Sequence, residues 1–119
     1  MSASEGRALD AIAFQLLAAL EEYDQDTARM IVAWPDLELY RSVSEQIEKI
    51  RLYSSSMPEA TVQSLELLIA HAELVHLLWR TEYGGEKKSP EAVIVVRDHH
   101  ADCVTALRNR CVRVMRSRA

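Results

Sequence analysis

Helix-breaking residues are scarce in this chain of 119 residues, and their placement constrains the fold more than any other feature. Beyond Gly6, every glycine and proline lies at Pro35, within residues 54–58 or within residues 84–90. Proline lacks the amide hydrogen that a helix needs, and glycine loses the most backbone freedom on folding. The three interior breaks therefore leave four segments of helical length.

Each break also carries the local signals of a helix end. Pro35 disfavours a helical conformation at the residue before it, and Asp36 is a good N-cap for the next helix. Pro58 and Pro90 each follow a serine closely and precede a glutamate, as is typical of a first helical turn. Gly84 begins a C-terminal stop. Together these signals predict helices near 4–34, 36–53, 58–83 and 90–116.

Apolar residues recur at steps of three and four along the first, second and fourth segments, which gives each one apolar face. In the first segment this pattern runs in phase from Leu9 to Trp34, so we expect one helix that continues through the polar residues 21–26. The length fits one domain with its own core. We predict an all-α antiparallel four-helix bundle, with residues 1–119 as a single helical domain.

The third segment has apolar residues on two sides. We assign its main stripe to the core: Val62, Leu65, Leu68, Ile69, Ala72, Val75, His76, Trp79 and Tyr83. The opposite side carries Leu67, Ala70, Leu74, Leu77 and Leu78. A helix in a four-helix bundle ordinarily keeps one face in water. The second apolar side therefore favours a self-association surface or a groove for a partner helix over a central position in an irregular bundle.

Charge is divided unevenly along the chain. Residues 1–102 carry nine basic and eighteen acidic side chains, whereas residues 103–119 carry five arginines and no acid. The pI of about 5.5 and the absence of aromatic residues from the fourth segment argue against specific nucleic-acid binding. Cations near a helix C-terminus also stabilise the helix through its dipole. We expect Arg110, Arg113 and Arg116 to form a solvent-facing ridge that meets an acidic patch.

The four histidines are the obvious candidates for chemistry. His71 and His76 lie five residues apart, about 140° around a helix, so they cannot chelate one metal ion as an i, i+4 pair would. His99 and His100 diverge by about 100°. His76 and His100 each fall on a predicted core stripe, and whether they meet between helices is open. We expect neutral histidines that are hydrogen-bonded within or beside the core.

Other chemical motifs are incomplete. Histidine phosphotransfer domains have a similar architecture, but they usually place a basic residue three positions and a glycine four positions after the histidine, and no histidine here has both. Glu73 and His76 match one Glu-x-x-His element of di-iron bundles, which need two. The chain has no nucleophile elbow, phosphate-binding glycine loop or Cys-x-x-Cys pair. We predict no catalytic residue, metal ligand or cofactor.

The sequence thus predicts a non-enzymatic protein-protein interaction module, such as a small adaptor, chaperone or regulatory subunit. The predicted partner-binding residues are Leu67, Leu74, Leu77, Leu78, Arg110, Arg113 and Arg116. The partner is a helix of another protein or a second copy of the chain, with a homodimer as the simplest version. The alternative is a histidine phosphotransfer or metal-binding bundle.

Location is predicted from two further observations. No stretch resembles a signal peptide or a membrane-spanning segment, so we expect no membrane association. Cys103 and Cys111 lie about 12 Å apart along one predicted helix, beyond the reach of a disulfide. Reduced cysteines indicate a reducing compartment, and we expect a cytoplasmic protein.

Overall fold

The computed structural model describes residues 3–83 and 90–116, which form an all-α protein with four helices. Helix α1 spans Ala3–Ala33, α2 spans Leu37–Ser54, a short 3-10 turn at Pro58–Ala60 leads into α3 at Thr61–Tyr83, and α4 spans Pro90–Arg116. The predicted fold class is confirmed, and α1 is one helix that continues through residues 21–26. The predicted stop at Gly84 and Gly85 lies outside the described residues, as does Arg118.

The turn between α1 and α2 shows why the break falls where it does. The peptide bond between Trp34 and Pro35 is cis. One carboxylate oxygen of Asp36 accepts hydrogen bonds from the backbone amides of Glu38 and Leu39, at 3.0 and 3.1 Å. This N-cap satisfies two amides that have no partner within the first turn of α2.

The core is formed by the predicted stripes of α1, α2 and α4 together with one face of α3. Its largest fully buried side chains are Leu16, Leu20, Tyr23, Met30, Val43, Ile50, Met57, Leu67, Leu74, Val104, Leu107 and Cys111. Both cysteines are free and buried, as expected for small core residues. The steps of three and four along α1, α2 and α4 therefore assigned the inner faces of these helices correctly.

The helices do not pack equally against one another. Helix α1 packs most extensively against α2, and α3 against α4, whereas α2 and α3 pack against each other much less. The ring of Trp34, which directly follows α1, lies 6.0 Å from that of Tyr40 in the first turn of α2, and Arg108 in α4 donates a hydrogen bond to Glu21 in α1. Within residues 3–83 and 90–116, no helix is both long and apolar enough to cross a membrane.

Candidate functional site

The structure reverses the predicted orientation of α3. Leu67, Leu74 and Leu77, which we expected to be free for a partner, are buried at 0%, 1% and 6% exposure. Leu78 is half-buried and packs against the core. The prediction that this side of α3 is a spare surface is therefore wrong, because it is the side that fills the interior of the chain itself.

Much of the opposite side of α3, which we had assigned to the core, faces outward, although Leu68 and Val75 are half-buried and pack against the core as expected. Val62, Leu65 and Ile69 are 60%, 54% and 58% exposed, and we call these three residues the outer stripe. They lie on one face of the helix at steps of three and four. Ala72 and His76 are also exposed and continue the same row. Helix α3 therefore has two apolar sides, as the sequence indicates. The side that we expected to be exposed is buried, and much of the side that we expected to be buried is exposed.

A small groove adjoins the outer stripe where the end of α2 meets the start of α3. It has a volume of about 170 Å³, and its lining includes Leu65, Leu68 and Ser54. The Ser54 hydroxyl is buried and has no hydrogen-bond partner within the described chain. This side of the interface between α2 and α3 thus offers both apolar surface and an unused polar group next to the outer stripe.

Exposed charges lie near the outer stripe and at the end of α4. Glu66 and Glu73 are exposed on α3 and flank the outer stripe. Among the arginines predicted to form a ridge, Arg113 and Arg116 are exposed and line a shallow groove of about 280 Å³, whereas Arg110 is half-buried. The basic end of α4 thus retains two cations that are accessible to a partner.

One arginine of the C-terminal group is used within the chain. The guanidinium of Arg108 donates to a carboxylate oxygen of Glu21 at 2.6 Å and to one of Asp24 at 3.4 Å. All three side chains are at least 31% exposed, so these two ion pairs contribute little to the stability of the fold. One of the five C-terminal arginines therefore contacts acidic side chains of α1 within the same chain.

The histidines meet in a way that sequence reasoning did not predict. The hydroxyl of Tyr23 on α1 lies 2.8 Å from Nδ1 of His71 on α3 and 2.7 Å from Nε2 of His100 on α4. We call these three residues the tyrosine-histidine cluster. His76 is exposed, so the suggested meeting of His76 with His100 does not occur. The sequence did contain one signal for Tyr23. It lies on the core stripe in the middle part of α1, and its side chain ends in a hydroxyl group that needs a hydrogen-bond partner when it is buried.

The protons of the cluster are coupled. A phenol carries one proton, so Tyr23 donates to one imidazole nitrogen and accepts from the other. Two ring nitrogens contact the Tyr23 hydroxyl, Nδ1 of His71 and Nε2 of His100. When one of these two nitrogens carries a proton, the other must be unprotonated. If both rings were imidazolium, the phenol proton would have no acceptor within the cluster. Two neutral rings satisfy all three groups.

Burial reinforces the neutral state of the cluster. It lowers the pKa of His100 to about 4, with smaller contributions from the nearby His71 and His99. Burial also lowers the pKa of His71 and raises the pKa of the Tyr23 phenol. Each shift disfavours the charged form of its group, as expected for titratable side chains removed from water. At neutral pH the cluster is therefore an uncharged hydrogen-bonded link between α1, α3 and α4.

Metal binding and homology give no further assignment. Among the described residues, no group of three or more histidine, cysteine or acidic side chains is placed to hold a metal ion. The sulfur of Cys103 lies 3.7 Å from Nε2 of His99, one helical turn earlier. Comparison of the chain with protein-family models, curated proteins and solved structures found no match.

Proposed function

We propose that this chain is a non-enzymatic protein-protein interaction module, a small adaptor, chaperone or regulatory subunit, that binds an amphipathic helix of a partner protein along the outer stripe. One observation carries the proposal. Val62, Leu65 and Ile69 are each more than half exposed on a helix whose other apolar side is already packed inside the chain. Contiguous exposed apolar side chains are typical of interaction sites.

The dimensions of the outer stripe suit a helical ligand. From Val62 to Ile69 it extends about 10 Å along α3, and about 15 Å if Ala72 is included, which corresponds to nearly three turns of a partner helix. Covering the exposed halves of three aliphatic side chains contributes roughly 1 kcal/mol each. This total of about 3 kcal/mol is too small alone to offset the entropy of association, so further contacts are needed.

The surrounding surface supplies such contacts. The groove beside Leu65 can receive a side chain of the partner, and the Ser54 hydroxyl can hydrogen-bond to it. Glu66 and Glu73 favour a partner helix with basic residues along one edge. The ridge of Arg110, Arg113 and Arg116 remains part of the proposal as a contact that steers and orients an acidic group.

A second copy of the chain falls within the same proposal. It carries an apolar stripe, exposed acids and exposed arginines, so a homodimer is the simplest form of the interaction. We also propose a cytoplasmic location, since both described cysteines are free. The competing histidine-based function has weaker support because the bonded nitrogens of His71 and His100 are already occupied by Tyr23. The exposed His76 and His99 lack the basic residue and glycine that typically follow a phosphotransfer histidine.

The proposal is tested by affinity capture with three purified variants beside the wild-type chain. Leu65→Asp and Ile69→Asp place a charge on the outer stripe, and Phe14→Asp is the matched control at a 65% exposed apolar position on α1. Circular dichroism should show wild-type helicity for all three because each site is exposed. Light scattering then distinguishes a homodimer from a complex with another protein.

We expect both outer-stripe variants to lose the same partner and the control to retain it. For a homodimer, the same two variants should be monomeric at concentrations where the wild-type chain and the control are dimeric. The proposal is contradicted if the outer-stripe variants keep every partner of the wild-type chain, or if Phe14→Asp loses the same partner as they do.

A further inference from the structure

A second recess lies away from the outer stripe, between the later part of α1 and the earlier part of α4. We call it the α1–α4 groove. It has a volume of about 380 Å³ and is lined by Asp24, Thr27, Ala28, Ile31, Val32, Ile94, Arg97, Asp98, His100 and Ala101. Its shape follows from small side chains on the facing helices, since Ala28 and Ala101 leave a space that larger residues would fill.

The walls of the α1–α4 groove expose apolar surface that the chain itself does not cover. Val32 is 86% exposed and Ile94 is 54% exposed, and Ile31 contributes a half-buried side chain. Half of the lining residues are aliphatic and half are polar or charged, and a concave recess that combines apolar walls with polar groups is a common form of small-molecule site.

The lining contains two buried polar side chains. Thr27 is only 2% exposed and His100 only 5% exposed. The Thr27 hydroxyl lies close to the phenol of Tyr23 without meeting the geometry of a hydrogen bond, and within the described chain it has no hydrogen-bond partner. The Tyr23 hydroxyl already serves His71 and His100. An unsatisfied hydroxyl in such a place favours a ligand that supplies the missing hydrogen bond.

The charges around the α1–α4 groove favour an uncharged ligand. Asp24 is paired with Arg108, and the remaining rim charges, Arg97 and Asp98, are exposed and of opposite sign. The groove therefore presents neither an excess of positive charge for an anion nor an unpaired group of acids for a cation. A charged ligand group would lose hydration without a matched partner at the buried hydroxyl and imidazole.

We infer that the α1–α4 groove binds a small apolar molecule that carries one neutral hydrogen-bonding group, such as an alcohol, with Thr27 and His100 as its polar contacts. The aliphatic walls bury the body of the ligand, and the Thr27 hydroxyl gains the partner that it lacks in the free chain. This site is separate from the outer stripe and does not depend on the function proposed above.

The inference is tested by NMR titration of the ¹⁵N-labelled full chain with three probes of equal ring size. These are cyclohexanol, cyclohexanecarboxylate and cyclohexylammonium. We expect cyclohexanol to give saturable shifts at the amides of Thr27, Ala28 and Ala101, and to bind at least tenfold more tightly than either ion. The inference is overturned if cyclohexanol gives no saturable shifts at these amides, or if either ion binds as tightly as the alcohol.

Substitutions in the lining of the groove test separately whether cyclohexanol binding depends on the space in the groove and on the hydrogen bond to Thr27. Ala101→Phe fills the space and should weaken cyclohexanol binding at least tenfold, whereas Ala72→Phe, at an exposed alanine of α3, is the matched control and should bind as wild type. Thr27→Val keeps the shape but removes the hydroxyl, and should weaken binding by about three- to tenfold. The ¹⁵N spectrum of each variant reports whether the fold is retained.

Two further results would overturn the assignment. Wild-type affinity of cyclohexanol for Ala101→Phe would show that the alcohol binds elsewhere. If Ala101→Phe instead loses a captured protein that Leu65→Asp retains, while its cyclohexanol binding is unchanged, then the occupant of the groove is a protein and not a small molecule.

Discussion

The buried imidazole of His100 should make the fold sensitive to mild acid, and the size of the effect can be worked out from its environment. Burial lowers the pKa of His100 from its usual 6.5 to about 4. Above 6.5 the folded and unfolded chains both carry a neutral ring, so the pH has no effect through this group. Between 6.5 and 4 only the unfolded chain takes up the proton, so stability falls as the pH falls.

At about pH 5 this linkage destabilises the fold by about 2 kcal/mol relative to neutral pH, since one pKa unit corresponds to about 1.4 kcal/mol. The variant His100→Gln removes the titrating ring and keeps a side chain that can hydrogen-bond. We expect its free energy of unfolding to change by about 2 kcal/mol less than that of wild type between about pH 7 and about pH 5. The matched control is His76→Gln, at an exposed histidine of α3, which should retain the wild-type loss.

The assay is urea unfolding at both pH values, followed by circular dichroism, for wild type and the two variants. For each protein, the quantity to compare is the difference between its free energies of unfolding at the two pH values. This difference cancels the cost of replacing the hydrogen-bond partner of Tyr23. Comparing it among the proteins also cancels the contribution of the carboxylates, which are the same in all three. If His100→Gln loses as much stability as wild type on acidification, the folded chain does not hold His100 in its neutral form, and the reasoning about the cluster is refuted.

Three further substitutions test other parts of the structure, each by urea unfolding at neutral pH. Tyr23→Phe should cost about 1–3 kcal/mol because a buried imidazole nitrogen of His100 and a partly buried one of His71 lose their shared partner; a cost near zero would contradict the hydrogen-bonded cluster. Leu67→Ala should cost about 2–5 kcal/mol and Ile69→Ala less than about 1 kcal/mol, because the first residue is buried and the second exposed; the opposite order would restore the orientation expected from sequence. Arg108→Ala should cost no more than about 1 kcal/mol, and the cost should shrink in high salt; a large cost independent of salt would contradict a solvent-exposed ion pair.

Helix positions were predictable because the signals that end helices are local. Asp36 caps the second helix as its sequence context indicates, and Pro58 and Pro90 lie at the starts of their helical segments. One refinement is that residues 58–60 form a 3-10 turn before α3 begins at Thr61. Such features depend on a few neighbouring residues, which a sequence displays directly.

The orientation of α3 was not predictable from apolar periodicity, because both of its sides carry apolar rows of similar length. Packing against the other helices decides between them, and that is a property of the whole fold. The charges held a clue that periodicity ignores. Glu66 and Glu73 lie about 60° and 40° around the helix from Ile69, but about 100° and 120° from Leu67. The side farther from the acids is the buried one.

The tyrosine-histidine cluster was missed for a related reason. Its three members come from α1, α3 and α4, and they are separated by up to 77 residues along the chain. The helical pattern places Tyr23 and His100 on inner faces, but the register between helices decides which residues meet. His71 lies on the side of α3 that we had assigned to the surface, so the reversed orientation of that helix also hid its part in the cluster.

The central claim is that the outer stripe is the surface through which the chain binds its partner. It is tested most directly by isothermal titration calorimetry of the captured partner against the wild-type chain and Ile69→Asp. Ile69 is 58% exposed in the free chain, so the substitution should leave the fold intact. We predict an affinity loss of at least about 100-fold, as expected when a charge replaces a central apolar contact. Binding of both chains within about threefold of each other would contradict the claim.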